Sequence, residues 1–406
     1  MPPEETPEAE PITRIAARGD GLTASGRHAP GAAPGDMLLL DGTLIPGPHR
    51  ATPPCRHYGQ CGGCQLQHID EDSLARFVRD RVAHAAIAHN LAPEAIAPAH
   101  LSPPLSRRRA TLHAGRVNGA LAIGFRAEAS HTLVPLKECH VLHPALFALV
   151  EPLRHTLSRN SGRLAIDIEL ALADQGVDCA LKGLTVEGLT ATEAWLDFAK
   201  THQLARLSLD QGYGPEALWE PEPLTITLSG VPVPLPPGAF LQATLDGEAA
   251  LTAATRAWLS DCPTVADLFS GLGTFAFALA GEGGSTKVLA VEADRAAHLA
   301  CKTAAGMNRR PVHTLHRDLF RNPLLPEELN RFAAVLLDPP RAGAREQCHR
   351  LAQSTVPKVV YISCNPASWA RDAATLASGG YRLTELRPVG QFRWSTHVEL
   401  ASLFVR

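Results

Sequence analysis

No run of about 18 apolar residues occurs in the chain, so the sequence offers no candidate membrane span. Its start, MPPEETPEAEPITR, is acidic and proline-rich, without the basic start and apolar stretch of a secretory leader. The expectation is a cytoplasmic protein without membrane contact or an obligate protein partner. Basic residues do not dominate: 38 Lys and Arg against 41 Asp and Glu give a net charge of -3, which argues against a general nucleic-acid coat. Cysteine is scarce and unevenly placed, nine residues in all, three of them within CRHYGQCGGC (55–64). In a long chain without a leader, that grouping favours metal binding or catalysis over disulfides.

Against these absences stands one local basic patch, LSRRRATLHAGR (105–116). Arg107, Arg108 and Arg109 within it are either an RNA contact or a solvated face. Residues 12–47 read as short strands separated by Gly and Pro turns, as in a small β-barrel of the oligonucleotide-binding kind. EDSLARFVRDRVAHAAIAHN, after the cysteine group, has helical apolar spacing. Residues 107–190 alternate like antiparallel strands, and the segment ending in GAFLQA closes this middle region.

From about residue 262 the texture changes. TVADLF, KVLAVEA, AAVLLDPP and KVVYISCNP are short apolar strands ending in polar residues or glycine, with helical stretches between them. Such alternation implies a mostly parallel sheet covered by helices, with ligands at the carboxyl ends of its strands. In VADLFSGLGTFAF, Gly271 and Gly273 permit close backbone approach to a ligand; the next strand ends in Glu292, suited to a ribose, and Asp318 is suited to an adenine edge. These residues indicate an adenosine-containing cofactor, with methyl transfer or hydride transfer as the chemistry. Asp338 begins the stiff loop DPPRAG, where Arg341 can meet phosphate. Cys364 follows an apolar run, without a sulfur neighbour in sequence.

The first sulfur group has the spacing Cys-x5-Cys-x2-Cys at Cys55, Cys61 and Cys64, with Cys139 as a distant fourth ligand. On spacing alone, an iron–sulfur cluster and a zinc ion both fit, and His57 or His68 could complete a zinc site.

Five ordered motifs, DLFSGLGTF, VEAD, DPPRAG, SCNPASWARD and FRWSTHVEL, resemble the S-adenosylmethionine-dependent RNA 5-methyluridine methyltransferases, and the likeness covers nearly the whole chain. Ser270 stands where the family usually has cysteine, and Thr244 where it has asparagine. The resemblance implies an α/β fold. It comprises a Rossmann-like class I methyltransferase domain (236–406), a small N-terminal OB-like, TRAM-like β-barrel (1–50) and a mainly β central domain that includes an iron–sulfur and RNA-binding region (51–235). It implies S-adenosyl-L-methionine contacts from Gln242, Phe269, Thr274, Glu292, Asp318 and Asp338, with Cys364 as nucleophile and Glu399 as base. It also implies a [4Fe-4S] cluster on Cys55, Cys61, Cys64 and Cys139. The likeness is greatest to the bacterial iron–sulfur enzymes acting on 23S rRNA, so the expected partner is an RNA substrate, ribosomal rather than transfer RNA. A cluster-based redox enzyme and a non-catalytic RNA-binding protein are the competing classes.

Overall fold

The computed structural model describes residues 9–158, 164–281 and 286–406. Residues 1–8, the start of the expected barrel and of the segment read for a leader, lie outside the described residues. Among the described residues no helix is long and apolar enough to cross a membrane.

The N-terminal strands Glu10–Ile15, Gly21–Thr23, His28–Ala29, Met37–Leu38 and Leu44–Ile45 form one five-stranded sheet, ordered third, second, first, fourth, fifth. Its two edge strands do not pair with each other, so it is a half-barrel, as the small barrel domain leads one to expect. Among the described residues its core is small, Ile12, Ala29, Ala32 and Leu38 with Leu44 packed against them. A buried carboxylate supplements it: Asp36 accepts from the Ala33 and Gly47 N–H groups at 2.7 Å each and pairs with Arg50.

The middle region is a seven-stranded sheet in which Ala165–Ala173 lies between Arg109–Val117 and Gly176–Lys182. Along Ala165–Ala173, Ile166, Ile168 and Leu170 alternate inward at the strand period of two. They meet Leu153 of the helix Val150–Leu157, and Trp195 and Phe198 of the helix Leu189–Thr201, in one core.

The C-terminal region has the Rossmann-like arrangement. Parallel strands run Val312–His316, Lys287–Glu292, Thr264–Leu268, Ala334–Leu337, Lys358–Ser363 across the sheet. Glu399–Val405 then inserts antiparallel between Lys358–Ser363 and Arg382–Gly390. The strands buried on both faces read as continuous apolar runs, as in AVLL.

Part of the segment that the sequence reading groups with the middle region packs here instead. The helix Glu71–Ala88 begins at Asp70, whose side chain accepts the Ser73 N–H at 2.9 Å, a standard N-cap. Its Leu74, Phe77, Val78 and Val82 enter the core of the C-terminal sheet, at about 2 kcal/mol each for burial. Ala95–Ile96 and His100–Leu101 then add to the edge at Arg382–Gly390.

Candidate active site

The parallel strands end together, and their last residues converge on one cleft. After Thr264–Leu268 the chain reverses through Phe269 (φ 63°), Gly271 (φ 54°) and Gly273 (φ 92°). Gly273 is also required by space, since a Cβ there would lie 2.8 Å from Cys301 Sγ and from the Phe277 ring. Glu292, at the end of the next strand, is held by backbone: Gly271 N–H donates to Oε2 at 2.8 Å, and the Ala293 and Asp294 N–H groups donate to Oε1 at 2.7 Å. Asp318 accepts the Phe320 N–H at 2.9 Å, so one of its oxygens is engaged by its own turn. The turn also brings Phe320 to a ring-centre distance of 5.4 Å from Phe269. Thr274 begins the short helix Thr274–Leu279 beneath the glycine turn. Asp338 is drawn to the first strand by its N–H to Leu268 O at 3.2 Å.

Among the described residues no cation offsets the two buried acids of the cleft, Asp267 and Asp338, whereas the more exposed Asp318 has Arg321 Nε at 3.5 Å. Asp267 is fully buried and neither carboxylate oxygen has a well-placed partner; burial pushes its acid up to about 8 against a weak pull from the Ala276 N–H. Asp338 is raised well above the usual carboxylate range by desolvation, then by Glu399, Asp267 and Glu292. A small cation carried by a ligand is what this group of acids lacks.

Beside the cleft opens a cavity of about 780 Å³ whose lining includes Arg107, Arg109, Phe240, Arg341, Cys364 and Phe392. Cys364 follows the strand Lys358–Ser363 and is half-buried; burial, with Glu399 and Asp338, pushes its thiol up to about 11 while Arg341 pulls it down. Glu399 opens the neighbouring strand, buried to 4% exposure. Its acid is lifted to about 7 by desolvation, opposed by a hydrogen bond from Gln391 and by the charge of Arg109. The two residues thus sit on adjacent strands and act on each other electrostatically.

The polar ending SCNP has a visible purpose. Asn365 caps the helix Pro366–Ser378, and Asn365 Nδ2 and Ser368 Oγ each donate to Arg341 O at 3.0 Å. The buried Asp372 accepts from Tyr361 OH at 2.8 Å and from the Ala344 N–H at 2.6 Å. The DPPRAG loop is therefore bolted to the helix that follows Cys364, which aims Arg341 into the cavity.

Gln242 is buried, and its Oε1 accepts from Gln391 Nε2 at 2.8 Å; Gln391 Oε1 accepts the Ala243 N–H at 3.0 Å. Sequence reasoning missed Gln391, which joins Gln242 to Glu399, because nothing local marks it. Thr244 caps the helix Leu245–Leu259 by accepting the Gly247 N–H at 3.0 Å, a role threonine shares with asparagine.

The basic run divides between the cavity and the protein interior. Arg107 and Arg109 face the cavity, and the Arg109 guanidinium lies 4.5 Å from the ring centre of the exposed Phe240. Burial, then Arg107, pulls Arg109 down to about 10. Arg108 points the other way, 1% exposed, paired with Glu248 and donating from Nε to Gln242 O at 2.9 Å. It is neither an RNA contact nor a solvated charge.

Cys55, Cys61, Cys64 and Cys139 line a second, apolar cavity. Burial raises the first three thiols, Cys64 to about 12, and the Leu142 N–H donates to Cys139 Sγ at 3.5 Å. Gly62 is needed for approach rather than for turning, since its Cβ would lie 2.9 Å from Arg126 O. Both alternative histidines are engaged: His57 Nε2 accepts the Lys137 N–H at 2.9 Å, and the His68 nitrogens face Tyr58 OH and Ala32 O. Among the described residues no group of three or more His, Cys, Asp or Glu is arranged to hold a single metal ion.

A family profile described as tRNA (Uracil-5-)-methyltransferase matches residues 249–406. An uncharacterised RNA methyltransferase of Zymomonas mobilis is 47% identical over 97% of this chain and 99% of its own length. The 23S rRNA (uracil(1939)-C(5))-methyltransferase of Chromohalobacter salexigens is 32% identical, covering 89% of this chain and 78% of the relative. In fold, the chain is similar to the Pyrococcus abyssi tRNA (uracil-54, C5)-methyltransferase in complex with S-adenosyl-L-homocysteine, with a TM-score of 0.76 at 21% identity over 98% of this chain and 99% of the other. The C-terminal sheet is accordingly a class I methyltransferase domain, and the chain belongs to the S-adenosylmethionine-dependent RNA (uracil-5-)-methyltransferase family.

Proposed function

We propose that the enzyme acts through a covalent adduct between Cys364 and C6 of a uridine, with Glu399 as the base, and that its substrate is 23S rRNA. The supporting observation is the placement of Cys364 and Glu399 on adjacent strand ends, between the acidic cleft and the basic cavity. Uracil C5 is a weak nucleophile. Addition of the Cys364 thiolate to C6 moves the ring's electron pair toward C4–O4 and makes C5 enolate-like. S-adenosylmethionine would supply the methyl group that C5 attacks, the methyl–sulfur bond breaking and S-adenosylhomocysteine leaving as the new carbon–carbon bond forms. Glu399 then takes the C5 proton, the C5–C6 double bond re-forms and the thiolate leaves. Glu399, lifted to about 7, is a stronger base than an exposed carboxylate while still ionised in part near neutrality.

The acidic cleft fits the cationic cofactor: Glu292 would hold the ribose, Asp318 the adenine edge, and Gln242, Phe269, Thr274 and Asp338 the remainder. The target base must leave its stack to reach Cys364, and Arg107, Arg109 and Arg341 would receive the flanking phosphates.

The donor set of four thiols around one apolar cavity fits a [4Fe-4S] cluster, which would be a structural tether between the N-terminal segment and the middle sheet. Preference for ribosomal RNA rests on the Chromohalobacter relative and on these four cysteines; transfer RNA is the alternative, favoured by the matched family profile and the Pyrococcus structure. Incubation with methyl-labelled cofactor and separate 23S, 16S and transfer RNA pools decides. Label in 23S RNA at 5-methyluridine is expected; label confined to transfer RNA overturns the ribosomal assignment.

A further inference from the structure

The loop that precedes Glu399, residues 391–398, is held at successive residues by partners far away in sequence. Gln391 bonds to Gln242 and Ala243. The Phe392 ring lies 5.5 Å from the guanidinium of Arg107, a residue that lines both the substrate cavity and the cysteine cavity. Arg393 pairs with Glu71 and donates to Ser102 O at 3.0 Å. Trp394 carries the tightest restraint. Its carbonyl accepts two N–H groups, from Gln65 at 2.8 Å and from Leu66 at 2.9 Å, and Gln65 directly follows Cys64.

Trp394 is in the left-handed region, at φ 60°, where a bulky aromatic is strained. The surrounding structure must therefore enforce the turn. The Ser395 N–H to Phe392 O bond at 2.9 Å closes it, and beyond it Ser395, Thr396 and His397 line the substrate cavity before the chain enters Glu399. The indole itself is half-buried against the core and lies 4.7 Å from the Arg393 guanidinium, so its side chain has a packing role of its own.

We propose that Trp394 is a positioning residue for Glu399, and that the cysteine segment, through Gln65 and Leu66, latches the turn at Trp394 that keeps the base in place. The proposal rests on the assignment of Glu399 as base. It gives the sulfur site a consequence for chemistry: loosening the cysteine segment releases the base loop beyond Gln391 while leaving Glu292 and Asp318 of the cofactor cleft, which lie at the ends of other strands, in place.

Two substitutions separate the turn from the indole. Trp394→Asn and Trp394→Val both remove the ring, but asparagine tolerates positive φ and a β-branched residue does not. Both variants should bind S-adenosylmethionine as the parent does in calorimetry. Trp394→Val should turn over about a hundredfold more slowly than Trp394→Asn at saturating substrates, the lower end of what a positioned general base contributes. Its methylated protein–RNA adduct should persist on denaturing gels, and the rising limb of its pH–rate profile should move away from that of the parent. Cys61→Ser should show the same persistent adduct with cofactor binding retained. Equal adduct lifetimes and equal pH limbs for the Asn and Val variants would overturn the latch and leave Trp394 a packing residue. A parent enzyme that methylates RNA without any Cys364-dependent adduct would instead remove the assignment beneath it, a different result from the same gel.

Discussion

The N–H of Gly271 donates to Glu292 Oε2 at 2.8 Å, so the glycine turn of one strand and the acidic end of the next are a single unit. Together with the Ala293 and Asp294 N–H groups, this fixes a carboxylate with free lone pairs toward the cleft. Glu292→Gln places an amide NH2 where an acceptor is required, and one backbone donor loses its partner. Cofactor affinity should fall about tenfold, the loss expected for one such hydrogen bond. Rates at saturating cofactor should stay near the parent's. Calorimetry beside saturated kinetics checks this, and unchanged affinity would remove Glu292 from the ribose.

Asp338 and Asp267 set a pH dependence. Burial raises both acids in the free protein, Asp267 to about 8, so the fold binds protons that the unfolded chain has released. For such groups stability is greatest below the unfolded carboxylate range and declines as pH rises toward the folded value. The free enzyme should therefore melt at a lower temperature at pH 8 than at pH 6. A cationic cofactor favours the carboxylates, so its binding should release protons and tighten over the same interval. Calorimetry in buffers of different ionisation enthalpy measures the release; no buffer dependence would contradict it. Asp338→Ala should also slow turnover at saturating cofactor, because Asp338 lies toward Cys364 and Glu399.

The basic run gives two phenotypes from neighbouring residues. Arg109→Ala should weaken RNA binding and lower the salt dependence by about one phosphate contact, with little effect on melting. Arg108→Ala leaves Glu248 buried without its partner and should cost about 3 kcal/mol of stability. Salt-dependent RNA titration beside denaturant melts distinguishes them. Equal effects on RNA affinity from both would refute the division.

This division shows what a sequence can and cannot disclose. Cys364 could be singled out as a candidate because it directly follows the apolar strand Lys358–Ser363 with polar flanks, whereas Glu399, the first residue of its strand, was marked only by the resemblance of FRWSTHVEL to a family motif. The split of Arg107 and Arg109 from Arg108 is a tertiary fact, since only Arg109 lies in the strand Arg109–Val117 and Arg107 is held by isolated bridges to Leu142 and Thr244. Gln391 and Trp394 were not legible, since their roles depend on Gln242, Gln65 and Leu66, which only the folded chain brings near. The two-residue strands Ala95–Ile96 and His100–Leu101 are too short to show a period, so the C-terminal sheet could not be credited with them. Nor does CGGC disclose that Gly62 is needed for a close approach to the backbone at Arg126, which is a tertiary fact.

The four cysteines should carry iron. Anaerobic purification should yield about four irons and matching acid-labile sulfide per chain, the content of a [4Fe-4S] cluster. Cys139→Ser should lower iron content and melting temperature together, because a cross-link between distant segments is lost. Stoichiometric zinc without sulfide would refute the cluster.

Cys364 and Glu399 should fail in opposite ways. Cys364→Ala removes the only step that activates C5, so it should bind cofactor normally and form neither adduct nor 5-methyluridine. Glu399→Gln leaves addition and methyl transfer intact but provides no acceptor for the C5 proton, so elimination stalls. A covalent protein–RNA complex carrying the labelled methyl group should then accumulate and survive denaturing electrophoresis. A general loss of folding would abolish cofactor binding in both variants and so cannot mimic this pair. Methylation by Cys364→Ala at the parental rate would dismiss the nucleophile. Full turnover by Glu399→Gln without a trapped complex would dismiss the base and turn attention to Asp338, the other carboxylate acting on the Cys364 thiol.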